Sequence, residues 1–533
     1  MMIKRPKSIE DAVVSLISKE REALSKCEEE RDQAASKLVE FQKNFLPAAI
    51  REMGNRWLTD RVPDRLEAKG IDDPIYGHFL LDPILATLLS HPLLQRLARV
   101  KQLSFSFSQF PSARHSRLSH SLGAAKNADM ALAGILDRGE YYVRGETEPR
   151  PFSAEITGLR SSLLQRAQIA ALLHDVGHGP FGHALDYYAG AKARSMQPDK
   201  KYTIRYLRQY LAPTLRSLGV DDASILAILS PDRSALTGMD NLIADIIDSS
   251  LDVDRMDYLM RDAHMTGLMM GFINTSALIN FMKPVRDEDS FILAYDAEAL
   301  GYMEHFILAR DAMYFQCYEH PRKRAAERIL TRLVQSVEED TRLGLALDDM
   351  FSLADEELTT LLRGVAGINQ ICMRLVEELM GDLDYTVVYE VAATAKPDPR
   401  GKKSTPSANI ETWLRLRSDD RQMEMAYVRQ PEIWEKTIAQ GSIGEERSWQ
   451  IQVVLPSPAA YQHISETKLL RRDASGRYAT FNFFDESLVV KAILDNMNLK
   501  RQFIRVMAPS SLPSSERGRI GRAAATLFAP PQD

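Results

Sequence analysis

The sequence predicts a mainly α-helical fold: a helical central bundle, preceded by one long N-terminal helix and followed by an α+β region. Three observations carry this. Helix-length apolar stripes such as ATLLSHPLLQRLARVKQL, LLQRAQIAALLH, DNLIADIIDSSL and AAERILTRLVQSV fill residues 74–345 with little two-residue alternation. Ahead of them apolar residues recur at steps of three and four. Behind them lie β-branched and aromatic runs of strand length. At 533 residues, 45% of them apolar, the chain has room for about three domains and at least one sizeable core.

In the N-terminal arm, residues 1–60, the positions Ile9, Val13, Leu16, Leu24, Cys27, Ala34, Leu38, Phe41 and Phe45 are spaced by three, four or their sums. Glu20 and Arg31 take the remaining seam positions. This predicts one helix ending near Pro47, with charged outer faces, as a packing or oligomerisation arm. Residues 58–73 are polar and punctuated by Pro and Gly, a connector into a helical core over residues 61–345. In residues 346–533, YTVVYEVA, SWQIQVVL and RYATFNFF predict strands between helical stretches. KPDPRGKKSTPSA, at 396–408, reads as a flexible basic loop, and the Ser/Pro/Arg-rich end from Pro509 as a loose basic tail.

The 67 basic and 73 acidic residues leave a formal charge of −6, which excludes a global cationic field for nucleic acid or an anionic membrane. Any anion site must be local. The three cysteines, Cys27, Cys317 and Cys372, form no CxxC pair, which excludes a disulfide scaffold and a thiolate metal cluster. No run of about eighteen uncharged apolar residues occurs, so the reading is a cytoplasmic protein without a membrane span.

The densest chemical signal is ALLHDVGHGPFGH, which packs His174, Asp175, His178 and His183 into ten residues. An apolar helix, AQIAALL, delivers an imidazole and a carboxylate to one buried spot, which is costly without a partner. A divalent cation satisfies both groups. Gly177, Gly179 and Pro180 predict a turn that splays His178 and His183 towards a cavity. Further ligands are available in SARHSRLSHSLG and SSLDVDRMDYLMRDAH; in the second, Asp254, Tyr258, Arg261 and Asp262 follow helical spacing along one face.

His120, the adjacent His174 and Asp175, and the distant Asp254 reproduce the H…HD…D pattern of the HD-domain metal-dependent phosphohydrolases. Four ordered segments, DDPIYGHFLLDPILATLLSHPLLQRLARVKQL, FPSARHSRLSHSLG, LLHDVGHGPFGHALD and LDVDRMDYLMRDAH, resemble the deoxynucleoside triphosphate triphosphohydrolases of the SAM-and-HD-domain and bacterial dGTPase types. The resemblance covers roughly residues 72–340, about half the chain. It implies an HD-domain helical bundle whose four ligands hold one divalent ion per subunit. Two His and two carboxylates suit Mn, Fe, Zn and Co, and Mg less well. It further implies attack of water on the α-phosphorus of a deoxynucleotide, with release of the deoxynucleoside and inorganic triphosphate.

By motif position the resemblance makes His178 and His183 the catalytic histidines and Arg117 and Arg255 phosphate clamps, Arg255 standing where lysine is usual. Tyr258 and Asp262, with Gln102 and Leu103, match the residues around the sugar, where a tyrosine under C2′ excludes a ribose hydroxyl. In FILARDAMYFQCYEHPRKR, Arg310 resembles a distal phosphate arginine and Tyr318 a base-side tyrosine. Glu319 stands where glutamine is common, so base preference does not carry over.

Two departures matter. The family's His-Glu pair after the HD motif is absent, since no histidine lies between His183 and His264. Lys200, Lys201 and Tyr202 are the polar candidates there. No SAM domain is recognisable, and the N-terminal helix occupies its place. A homo-oligomer and a nucleotide activator are implied by resemblance alone, and no residue carries a role against phage. Alternative readings are an HD phosphohydrolase for a monophosphate, alarmone or cyclic nucleotide, and a nucleotide sensor or nucleic-acid-binding regulator using Arg322-Lys323-Arg324 and Lys500 through Arg522.

Overall fold

The structure, a computed structural model, describes residues 48–56, 58, 67–193, 198–234, 236–340, 343, 345–366, 370–381, 383–392, 407–418, 422, 424–456, 466–493 and 503–529. The N-terminal helix predicted from Ile9 to Phe45, most of the 396–408 loop, and Lys500 lie outside these residues.

Helix α1 (Arg117–Arg138) starts at Ser116, whose hydroxyl accepts from Ser119 N–H, and stops at Gly139 with φ 70°. It packs against α2 (Arg160–Leu173), whose continuous buried run Ile169–Leu173 makes that end apolar all round. After α3 (His183–Ala193), α4 (Pro198–Tyr206) and α5 (Gly238–Ile247), helix α6 (Val253–Thr266) also packs on α1. Asp252 caps α6 by accepting from Arg255 N–H, and Gly267 ends it. At Gly123 on α1 a Cβ would lie 1.8 Å from Asp257 Oδ1 on α6, so the close approach requires glycine. Helix α7 (Leu300–Met313) runs into a π-helical turn, Tyr314–Tyr318, and α8 (Pro321–Glu339) begins with proline in its first turn.

The middle region is not all helical, as the apolar stripes had predicted. It contains β1 (Lys69–Asp73), β2 (Gly77–Leu81), β3 (Glu140–Val143), β4 (Arg150–Pro151), β5 (Met282–Asp287) and β6 (Ser290–Asp296). These strands are short, and β6 buries residues on both faces, so its sequence lacks the alternation that marks a half-exposed strand. The predicted connector likewise enters β1, which pairs antiparallel with β2.

In the C-terminal region β7 (Tyr385–Ala392) fills the whole of YTVVYEVA. SWQIQVVL and RYATFNFF contain the shorter β8 (Gln452–Val454) and β10 (Tyr478–Asn482). With β9 (Lys468–Arg472) and β11 (Phe503–Pro509) these complete two sheets, ordered β10-β9-β6-β5-β3-β4 and β7-β11-β8. The β9–β10 hairpin thus extends the sheet of the middle region. The end is not loose: Ser514–Leu527 is a helix with Ile520 and Ala524 buried, and Phe528 packs 5.0 Å edge-on against Trp434. The buried residues Ile520, Ala524 and Phe528 fall every fourth position, and Arg517, Arg519 and Arg522 hid that stripe.

This C-terminal core joins the bundle through buried charge. Arg328 on α8 grips Glu435 with two hydrogen bonds of 2.9 and 3.0 Å, and Glu435 also accepts from Val453 N–H. A second tie holds the turn between α2 and α3. The fully buried Arg96 donates to the carbonyls of Val176 and His178 at 2.9 and 2.6 Å, and to those of Phe351 and Leu353 at 3.1 and 3.2 Å. Asp355 accepts from Phe181 N–H at 2.6 Å and from Lys101 N–H at 3.0 Å. Phe181, at φ 57°, is further held by stacking on Phe105 at 4.4 Å. Replacing Arg96 by Met leaves four buried carbonyls unpaired and is expected to lower unfolding free energy by about 3 kcal/mol or more. Urea denaturation measures it; an unchanged midpoint would show that the tie contributes nothing.

Candidate metal centre

The apolar end of α2 delivers His174, whose Nδ1 donates to Ala171 O at 2.7 Å. On α1, His120 Nδ1 donates to Asp257 Oδ2 at 2.8 Å. Each hydrogen bond turns its ring so that Nε2 faces the same point. There His120 Nε2 lies 3.0 Å from Asp254 Oδ1, 3.3 Å from His174 Nε2 and 3.7 Å from Asp175 Oδ2. His174 Nε2 lies 3.3 Å from Asp175 Oδ1 and 3.5 Å from Asp254 Oδ1. The ligand atoms of His120, His174 and Asp175 thus all fall within 4.8 Å of one another, and Asp254 faces the same two imidazole nitrogens.

The set fits a divalent cation. Ligand atoms bound at about 2.0–2.2 Å stand roughly 3.0–3.5 Å apart in tetrahedral or octahedral arrangements, close to the separations here. The centre also demands positive charge. Burial pulls the His120 imidazole down, but the Asp254 and Asp257 carboxylates outweigh it and hold it up at about 10. Burial raises Asp175 and Asp254, yet the facing imidazoles, with Arg117 beside Asp175, hold both well below the usual carboxylate range. A metal-free chain thus keeps protons where a cation binds. Metal affinity is therefore expected to climb with pH, by up to about tenfold per unit for each proton displaced, until pH nears that of His120. Manganese or zinc titrations between about pH 6 and 8 read this slope, and a flat profile would count against the ligand set.

The helix stops at Leu173 and the chain turns through Gly177–Gly182, as the glycines and proline predicted. His178 Nε2 comes to 3.2 Å from Asp175 Oδ1 and 3.8 Å from Asp199 Oδ2, with Nδ1 3.3 Å from Asp186 Oδ2. The exposed His183 places Nδ1 2.7 Å from the same Asp186 oxygen, its ring 4.8 Å from that of His178. Burial and Arg117 lower the His178 pKa, but Asp175 and Asp186 prevail and raise it to about 9.

A cavity of about 630 Å³ opens on these groups. Gln102, Leu103, Arg117, Arg255, Tyr258, Asp262, Arg310, Tyr318 and Glu319 all line it together with the four predicted ligands, His178 and His183. Arg117 Nη1 donates to Asp175 at 2.6 Å, while its buried Nε and Nη2 have no hydrogen-bond partner among the described residues. Arg255 pairs with Asp252, and the Arg310 guanidinium lies 5.4 Å from the Tyr314 ring centre. Asp262 bonds His115 Nε2 at 2.7 Å and accepts from Tyr318 OH at 2.8 Å. Tyr258 meets His120 and Tyr318 edge-on. Glu319 lies 3.4 Å from Arg324.

Arg261 does not share the cavity face expected from its spacing. It is buried between Asp257 and Asp73, four residues beyond Asp257 and on that residue's side of α6. Of the three candidates replacing the His-Glu pair, Lys200 lines the cavity, Lys201 is exposed, and Tyr202 stacks on Phe351 at 4.0 Å. Sequence reasoning missed Asp257, Asp186, Asp199 and His115. Asp257 and Asp186 had a signal, standing three residues after Asp254 and His183. The basic run at 322–324 is internally paired: Arg322 with Asp384, and the largely buried Lys323 and Arg324 with Glu327. Among the described residues no helix is long and apolar enough to cross a membrane.

The HD domain family matches this chain over residues 117–262, which span all four ligands. The human deoxynucleoside triphosphate triphosphohydrolase SAMHD1 is 29% identical over 281 residues, covering 47% of this chain and 42% of that protein. Two uncharacterised relatives are YwfO of Bacillus subtilis (28% over 269 residues; 50% of this chain, 55% of that protein) and MG461 of Mycoplasma genitalium (27% over 278 residues; 50% and 61%). The chain thus matches about half the length of these curated relatives. A solved phosphohydrolase structure from Bacteroides thetaiotaomicron superposes with a TM-score of 0.57 at 20% identity, over 83% of this chain and 99% of that one, a likeness of fold.

Proposed function

We propose that this chain, an HD-domain protein similar in half its length to deoxynucleoside triphosphate triphosphohydrolases, is a metal-dependent hydrolase of deoxynucleoside triphosphates. The observation that carries this is the convergence of His120, His174, Asp175 and Asp254 beside an arginine with two unpaired buried donors. Unpaired guanidinium N–H groups at a cation site are what a phosphoryl oxygen satisfies.

A divalent ion held by the four ligands supplies Lewis acidity towards the phosphate and activation of water. Arg117 Nε and Nη2 hold phosphoryl oxygens, and Arg255 and Arg310 add charge compensation. His178 keeps a proton near neutral pH and delivers it to the leaving 5′-oxygen. Asp186 orients His183 beside it. Tyr258 lies under the sugar, where its ring leaves no room for a 2′-hydroxyl. Asp262, held by His115 and Tyr318, takes the 3′-hydroxyl. Glu319 and Tyr318 stand on the base side of this arrangement.

The test is to incubate the metal-loaded protein with each deoxynucleoside triphosphate, singly and mixed, and resolve the products by chromatography. Deoxynucleoside with inorganic triphosphate is the expected pair. Orthophosphate, pyrophosphate or a linearised nucleotide instead would assign the site to another phosphoester.

A further inference from the structure

Lys200, Arg233, Asp248 and Ser249 also line the catalytic cavity, and the mechanism above uses none of them. Asp248 caps the C-terminus of α5 at the start of the loop that leads to Asp254 and Arg255. Its carboxylate is surrounded by cations. Lys200 Nζ pairs with Oδ2, Arg233 Nη2 lies 3.4 Å from the same oxygen, and the nearby Arg255 charge also acts on it. The two arginines are held from behind: Arg233 by Asp245 at 2.8 Å and by the Ala244 carbonyl, Arg255 by Asp252. Lys200 has only Asp248 as a carboxylate partner within ion-pair distance among the described residues, and the side chains of Lys200, Arg233 and Asp248 are 25%, 28% and 43% accessible.

One fixed guanidinium, Arg233, and one adaptable ammonium, Lys200, thus face one carboxylate at the cavity wall, which Arg255 also lines. Arg255 directly follows the ligand Asp254, so the cluster adjoins the focus where a phosphorus would react. A terminal phosphate carries up to about two negative charges and three acceptor oxygens, more than the one carboxylate, Asp248, that Lys200 engages, while Arg233 and Arg255 keep Asp245 and Asp252. A lysine ammonium, a compact charge on a flexible stem, can exchange one such partner for the other.

We propose that Lys200, Arg233 and Arg255 form a subsite for the terminal phosphates of a polyphosphate chain, with Asp248 as a resident anion that the phosphates displace from Lys200. This rests on the phosphohydrolase reading and sharpens it, because such a subsite favours a triphosphate over a monophosphate.

The experiment is calorimetric binding of inorganic triphosphate, pyrophosphate and orthophosphate to the full chain in EDTA, for the wild type, Lys200→Met and Asp248→Asn. The wild type binds triphosphate most tightly. Lys200→Met weakens triphosphate about tenfold or more while leaving orthophosphate within about twofold, because one charge-assisted contact is lost. Asp248→Asn moves triphosphate the other way, tightening it several-fold, since no resident anion competes. Opposite signs cannot come from a merely structural ion pair, whose loss from either side would act alike. Unchanged triphosphate binding in Lys200→Met, or weakening in both variants, overturns the subsite. If deoxynucleoside triphosphates are hydrolysed with unaltered KM by Lys200→Met, the subsite falls and the substrate reading stands. If none is hydrolysed while the two variants shift binding in opposite directions, the subsite stands and the substrate reading falls.

Discussion

Asp175→Ala is expected to lose bound metal and turnover together. The carboxylate faces His174, His120 and Arg117 within 2.6–3.7 Å, and its removal leaves the buried Arg117 guanidinium without its counter-charge and the two imidazoles with Asp254 as the carboxylate they share. Breaking such a buried set costs about 3–5 kcal/mol, or roughly 10²–10⁴ in cation affinity. Elemental analysis after dialysis and a turnover assay on the same sample read both losses. Metal and rate both surviving would mean that the focus is not the catalytic centre.

His178→Ala is expected to separate the two properties. Its ring touches the centre only through Asp175, so metal content should hold while the rate drops about 10²–10⁴-fold, the usual scale of a lost proton donor. The same role fixes the sign of the pH dependence. Burial lowers the His178 pKa, and Asp175 and Asp186 raise it to about 9 against that pull. The acid form therefore persists through neutrality, and turnover should decline as pH rises through about 9. A variant that loses metal in parallel with rate would make His178 a ligand rather than a donor.

The site was legible where chemistry is local in sequence. His174 through His183 share one helix end and turn, and Asp254, Tyr258 and Asp262 follow helical spacing, so their convergence follows from periodicity and from a match of motifs. What escaped depends on contacts between distant segments. The three-residue step from Asp254 marks Asp257 only as its neighbour, since its bond to His120, beside Gly123, reaches another helix, and nothing in the 198–202 run marks Lys200 rather than Tyr202 as the cavity residue. The strands at 282–296 were hidden for a related reason, because sequence cannot distinguish a doubly buried strand from a piece of apolar helix. The helix at 514–527 failed differently: its few apolar residues, set among arginines, gave a composition that outweighed its spacing.

The segment bearing Asp355 lies nearly a hundred residues beyond the last residue of the family match, yet it clasps the turn that presents His178 and the strap bearing Lys101 just before Gln102. Any force that shifts this segment, from a neighbour in an assembly or from an effector on the C-terminal core, pulls directly on the turn that carries His178 and on the cavity wall at Gln102. The cavity is accordingly wired to a remote handle, and its shape answers to the whole chain rather than to the homologous half.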